Sequence, residues 1–166
     1  MSPVRVREAT VGDVPTIAAL IRELAAYEKL LDQVSLSEER LGRHLFGDRR
    51  YAEVLLAEEG GEPVGFALFF HNYSTFLGLP GIYLEDLFVL PAQRSRGVGR
   101  ALLTHLARLA VDRGCGRLEW SVLDWNEPAI GFYRRLGARA NSEWTGYRLE
   151  GAALERLATE PSEARG

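Results

Sequence analysis

Cysteine, lysine and methionine are almost missing from this 166-residue chain, and each shortage closes off a class of protein. With Cys115 as its only cysteine the chain forms no internal disulfide, so its stability has to come from a buried core. Cys115 lies between Gly114 and Gly116, in what reads as a helix-to-strand turn, where a thiol behaves as a small hydrophobe and not as a nucleophile. Lys29 is the sole lysine among 20 basic residues; the arginines are spread along the whole chain and build no basic face. That scatter, with a net charge of −3, excludes a nucleic-acid surface. No apolar run approaches the ~18 residues of a membrane helix, and residues 1–8 carry charges where a signal peptide is apolar, so no membrane association and a cytoplasmic location are expected. His44, His71 and His105 have no ligand spacing, so no metal is expected. Neither an internal repeat nor a composition shift divides the chain. One domain over residues 1–158 is expected, with 159–166 a disordered tail.

Val4–Arg7 alternates with period two and reads as a strand, and Thr10 with Asp13 signals a helix start. Ile17, Leu20, Ile21, Leu24 and Ala25 give that helix one buried stripe, to about Lys29. A second capping signal over Ser35–Glu38 opens a short helix to about Leu45. Tyr51–Ala57 and Pro63–Phe70 read as antiparallel strands joined across Glu58–Glu62, and Asn72–Gly81, rich in breakers, reads as a loop. A strand over Ile82–Val89, a helix from Gly97 to about Arg113, a strand over Arg117–Val122, a helix capped by Asn126 and a last strand near Thr145–Leu149 complete the pattern. This is an α/β chain with one mixed sheet, in which the helix after Gly97 crosses over between parallel neighbours.

The junction Leu87–Leu103 is the most informative stretch, because it joins an apolar strand to Arg94-Ser95-Arg96-Gly97-Val98-Gly99 and then to an amphipathic helix. Glycines at 97 and 99 let a ligand approach the backbone, and the helix N-terminus offers unpaired N–H groups with partial positive charge, which suits a pyrophosphate. A P-loop needs Lys-Ser/Thr after its last glycine, and a dinucleotide fingerprint needs a third glycine where this chain has Leu102. Both fail. Glu85 and Asp86 are adjacent acids in an otherwise apolar strand, a costly placement unless each is paired with an arginine or used in chemistry. Tyr133, on the helix after Asn126, reads either as a core aromatic or as a functional hydroxyl.

The run Arg-x-x-Gly-x-Gly resembles the acetyl-coenzyme A loop of the GCN5-related N-acetyltransferase (GNAT) superfamily. Ala25-Ala26-Tyr27-Glu28, Tyr83-Leu84-Glu85-Asp86 with Phe88-Val89, Arg94–Gly99, Asp124-Trp125-Asn126, and Phe132-Tyr133 before Gly137-Ala138 extend the likeness to the diamine (spermidine/spermine) and thialysine acetyltransferase branch, over nearly the full length. The resemblance implies a GNAT fold: a single mixed, mostly antiparallel twisted sheet with flanking helices and a splayed parallel strand pair at the acetyl-CoA site. It implies that Leu87, Phe88 and Val89 pair with the pantetheine arm. Arg94, Ser95, Arg96, Gly97, Val98, Gly99 and Arg100 would hold the pyrophosphate, with Asn126, Pro128 and Ala129 near the arm. It makes Tyr133 the general acid and Glu85 the base through water, and assigns Tyr27, Glu28, Glu85 and Asp86 to the amine substrate. It also implies a homodimer with the site at the subunit boundary.

Two departures shape the acceptor expected. Where diamine enzymes carry an acid in the loop after the third strand this chain has Tyr73-Ser74-Thr75-Phe76, so Ser74 joins the expected substrate contacts and a thialysine- or lysine-like amino acid is favoured over spermidine or spermine. Glu143-Trp144-Thr145-Gly146-Tyr147 departs from both groups in the order of its Glu and Trp. The alternatives are a polyamine acetyltransferase, a protein-lysine acetyltransferase and a non-catalytic acetyl-CoA-binding module. An alkyl ammonium with a pKa near 10.4 costs about 4.6 kcal/mol to deprotonate at pH 7, which is why a base is needed.

Overall fold

Thr10 and Asp13 set the start of the first helix, as their spacing predicts. The Asp13 carboxylate accepts from the Thr10 backbone N–H at 2.7 Å, and the Arg7 guanidinium grips it at 2.8 and 3.0 Å, which holds its pKa down to about 2. Strand β1 (Val4–Glu8) thus feeds through a 3₁₀ turn into α1 (Val14–Tyr27). The Ser37 hydroxyl accepts from the Arg40 amide and caps α2 (Glu38–Phe46). The computed structural model describes residues 2–162.

Strands β2 (Glu53–Glu59), β3 (Glu62–Ser74) and β4 (Leu79–Val89) follow, then α3 (Val98–Asp112) and β5 (Leu118–Trp120). The five strands form one sheet in the order β1-β2-β3-β4-β5, antiparallel throughout except for the parallel pair β4–β5, which α3 joins as a crossover. Val54–Ala57 is buried without alternation because both faces of the sheet are covered. Val54 and Leu56 pack with Phe66, Phe88, the α1 residues Ile17, Leu20 and Leu24, and Leu45 of α2. On the other face α3 buries Val98, Leu102 and Leu106, with Val98 against Gly65 of β3. Each such fully buried side chain contributes about 1.5–3 kcal/mol.

The described residues group into two compact units, one up to Ser121 and one from Val122. The first holds the whole sheet with α1–α3; the second holds α4 (Glu127–Arg135) and α5 (Gly151–Ala158).

Three expectations need correction. Asn72–Gly81 is not a loop: β3 and β4 continue as a paired hairpin from His71↔Ile82 to Ser74↔Leu79, leaving a turn of Thr75–Gly78. The glycine that suggests a break, Gly81, sits inside β4 because a Cβ there would collide with the Asn72 side chain of the neighbouring strand. Thr145–Leu149 forms no strand, since no edge of the described sheet pairs with it, and α5 follows where no helix is expected. Beyond α5, the expected tail begins at Thr159, whose hydroxyl donates to the Arg156 carbonyl; residues 163–166 lie outside the described residues.

Candidate active site

The glycine loop is built as the sequence predicts. β4 ends at Val89, a 3₁₀ turn spans Pro91–Gln93, and Gly97, at φ +82°, is the N-cap of α3. The first helical bond runs from the Ala101 N–H to the Gly97 carbonyl at 2.9 Å, so the amides of Val98, Gly99 and Arg100 precede it and have no partner within the helix. Ser95 takes φ +64°, a left-handed conformation uncommon outside glycine. A Cβ on Gly97 would meet no protein atom within 4 Å. Space above the loop is therefore open, which fits a bulky anion over the helix N-terminus.

The loop arginines are held in place by the protein. Arg94 Nε donates to the Val89 carbonyl at 3.1 Å, and its guanidinium lies 4.1 Å above the Tyr27 ring centre and 5.6 Å from that of Phe88. Arg96 bridges Gln93 Oε1 at 2.6 Å and the Glu59 carboxylate at 2.7 Å. Arg100 is exposed on the first turn of α3.

The two acids of β4 lie at a bulge. Leu68 of β3 stands opposite Asp86 and Phe69 opposite Leu84, so Glu85 is an extra residue with no cross-strand partner. Without the bulge, Leu84 and Asp86 would share a face. With it, Asp86 falls on the side of Leu68, Phe66 and Phe88, against the end of α1, while Glu85 is exposed. Burial, aided by the charges of Glu85 and Glu28, pushes the Asp86 carboxyl up to about 6; burial also raises that of Glu28, the residue that ends α1. Neither Glu85 nor Asp86 is in a salt bridge among the described residues. No three carboxylates, imidazoles or thiols there converge as a metal-ligand set. β5 pairs with β4 only as far as Leu84, so the stretch from Glu85 to Val89 has a free main-chain edge on that side.

Tyr27, Glu28, Asp86 and Arg94 thus come together at one end of the first unit. Ser74 does not join them. It is buried at the hairpin turn, where its hydroxyl accepts from the Leu77 amide at 3.2 Å, six residues along β3 from the partner of Asp86 and so roughly 20 Å away. In the second unit Asn126 caps α4, its Oδ1 accepting from the Ala129 amide at 3.4 Å, with Pro128 in the first turn. Tyr133 lies on the same helix, half-buried, its ring centre 5.6 Å from that of Phe132.

A sequence profile of the Acetyltransferase (GNAT) family matches residues 19–138. The chain belongs to this family. A thialysine N-epsilon-acetyltransferase of Sus scrofa is 43% identical over 95% of this chain and 99% of its own length. An L-ornithine N5-acetyltransferase of Arabidopsis thaliana is 34% identical over 92% of this chain and 87% of its own. Among solved structures, an integron cassette protein from the mobile metagenome of V. cholerae has a TM-score of 0.81 at 29% identity, covering 96% of this chain and 99% of that one. This GNAT chain is an N-acetyltransferase with acetyl-CoA as co-substrate.

Within the GNAT frame, sequence reasoning finds the loop, Asn126 as a cap and the acid pair. It misses the Arg94–Tyr27 stack and the bulge at Glu85. Nothing in the letters marks either, because each depends on an element distant in the chain.

Proposed function

We propose that the enzyme transfers the acetyl group of acetyl-CoA to the side-chain primary amine of a small, lysine-like amino acid. The observation that carries this reading is the group Glu28, Glu85 and Asp86 near the glycine loop, acidic and without a salt-bridged cation among the described residues. Such a group attracts an ammonium and then favours its loss of a proton. The thialysine and ornithine acetyltransferases among the relatives, both acting on amino acids with a side-chain amine, support the choice of acceptor.

Bound at the loop, acetyl-CoA supplies the acyl group as an activated thioester. The amides of Val98, Gly99 and Arg100 hold the pyrophosphate, with the Arg94 and Arg100 charges nearby, and the free edge of β4 from Leu87 to Val89 lines the arm. Glu28 and Asp86 receive the ammonium beside Tyr27. Tyr133 donates a hydrogen bond to the sulfur as negative charge develops there; with a phenol pKa near 10 against about 8.5 for a thiol, full proton transfer is slightly uphill. The enzyme works as a homodimer in the cytoplasm, and the exposed Tyr73, Phe76 and Leu77 on the β3–β4 hairpin favour a self-association surface.

A polyamine acceptor is the second reading, favoured by the same three carboxylates, which suit a multiply charged cation. Thiol release from acetyl-CoA with thialysine, lysine, ornithine, putrescine, spermidine and spermine decides between them. The proposal expects the highest kcat/KM for an amino acid. A clear spermidine preference overturns it, as does release with none of the amino acids.

A further inference from the structure

The sheet face that carries Asp86 continues away from the glycine loop and changes character as it reaches β5. Phe70 pairs with Tyr83 two residues along β3 from the Leu68–Asp86 pair, roughly 7 Å farther on, with ring centres 5.3 Å apart. The Tyr83 hydroxyl meets Ser121 Oγ at 2.7 Å, and Glu119 stands beside Tyr83 on the parallel strand. One pair farther Asn72 stands opposite Gly81, and because Gly81 has no side chain Asn72 reaches across β4, where its Nδ2 donates to Glu119 Oε1 at 3.1 Å. Arg117 Nε lies 2.7 Å from the same oxygen, so Glu119 Oε2 takes neither contact. The price of the Asn72 bond is its own Oδ1, which is buried and bonded to nothing among the described residues. Stability does not explain this arrangement. The Arg117 and Glu119 side chains are 41% and 32% exposed, and an ion pair so open to water contributes little to the fold.

We propose that Arg117 and Glu119 recognise the far end of the acceptor, Arg117 taking its α-carboxylate and Glu119 its α-ammonium, and that this pair selects an amino acid over a polyamine. The inference rests on the proposed function, in which the side-chain amine is received near Asp86. An extended lysine side chain spans roughly 6 Å from its nitrogen to its α carbon, close to the step from the Asp86 pair to the Tyr83 pair. The α carbon of an amino acid carries one charge of each sign, and Arg117 beside Glu119 offers the complement of both. Arg117 contacts Glu119 through Nε, and its terminal nitrogens suit the two oxygens of a carboxylate. The Tyr83 and Ser121 hydroxyls flank the same place and pass one donor to a ligand oxygen when they give up their mutual bond. Asn72 is a positioning residue, since it touches Glu119 and holds it beside Tyr83. A polyamine presents only cations there, so Arg117 repels it while Glu119 attracts it. Selectivity thus has a repulsive as well as an attractive part.

The test compares kcat/KM, from thiol release, for lysine, Nα-acetyl-lysine, lysine amide and cadaverine, which share one side-chain amine and differ only at the α carbon. Wild type should lose about 10- to 100-fold from lysine to lysine amide and again to cadaverine, as expected for charge-assisted hydrogen bonds. Arg117→Gln should lower the ratio of lysine to cadaverine by about the same factor, through KM and not kcat. Glu119→Gln should lower the ratio of lysine to Nα-acetyl-lysine, and Asn72→Ala should lower it less. Arg117→Glu should shift the ratio of lysine to spermidine furthest, because it replaces repulsion of the polyamine by attraction. Ratios within one variant cancel any general damage to the fold, and the wild-type series needs no variant at all. Equal wild-type rates with lysine, lysine amide and cadaverine, or ratios that Arg117→Gln and Glu119→Gln leave unchanged, overturn the inference while an amino-acid preference over spermidine keeps the acceptor reading. Wild-type enzyme that prefers spermidine to every amino acid overturns both.

Discussion

Arg94 rests its guanidinium 4.1 Å above the Tyr27 ring centre while its Nε is bonded to the Val89 carbonyl, tying the cofactor loop to the end of α1. The glycine loop and the residues proposed to take the amine thus share one side chain. A lysine in place of Arg94 keeps the charge but loses the planar stack. Arg94→Lys and Tyr27→Leu should each lower Tm by about 2–4 °C, corresponding to roughly 1 kcal/mol in a chain of this size. A double-mutant cycle by urea unfolding should yield a coupling of about 0.5–2 kcal/mol. Strict additivity would show the stack to be energetically idle.

Gly97 separates conformational strain from ligand contact. Because a Cβ there touches no protein atom, Gly97→Ala should cost only the roughly 1–2 kcal/mol of a left-handed alanine. Its acetyl-CoA affinity should nevertheless fall more than tenfold, and that of Gly97→Val further, since the added carbons fill the space above the helix N-terminus. An unchanged Kd by calorimetry in the folded alanine variant would remove this loop from the site.

Asp86 should weaken the fold at neutral pH. Its carboxyl is raised from 3.8 to about 6, so its favourable contribution is complete below about 4 and is lost as pH rises through about 6. At pH 7 Asp86→Asn should be more stable than wild type by about 1–2 kcal/mol, and the gain should vanish by pH 4. Asp13 works in the opposite sense. Held at about 2 by Arg7, it stabilises above about 4 and fails only as pH falls toward 2, so it does not blur the comparison. Urea unfolding of both proteins at pH 4 and 7 is the measurement, and a pH-independent difference would contradict the raised carboxyl.

Tyr133→Phe removes a hydroxyl and leaves the ring. With the phenol donating to the developing sulfur charge, kcat should fall 10²- to 10⁴-fold while acetyl-CoA affinity stays within about twofold. Retention of more than a tenth of the wild-type kcat would leave the leaving group without this donor.

Much of this molecule is legible from its letters because the information is local. The stripe Ile17, Leu20, Leu24 on α1, the cap at Ser37, the strand-loop-helix around Gly97 and the Asn126 cap of α4 all depend on residues within a few positions of one another, where backbone preference and side-chain spacing act. The sequence also implies which chemistry belongs to the loop, since glycines before a helix N-terminus favour an anion wherever they occur.

What only the tertiary structure decides is set between strands. Gly81 reads as a breaker until Asn72 is seen lying across it, and Ser74 reads as a substrate contact until the hairpin carries it roughly 20 Å along β3 from the partner of Asp86. Thr145–Leu149 has the pattern of a strand but no partner, and a strand without a neighbour leaves its hydrogen bonds unmade. Glu85 and Asp86 are equivalent as letters. The pairing with β3 makes Glu85 the exposed extra residue of a bulge and sets Asp86 on the face of Leu68 and Phe88.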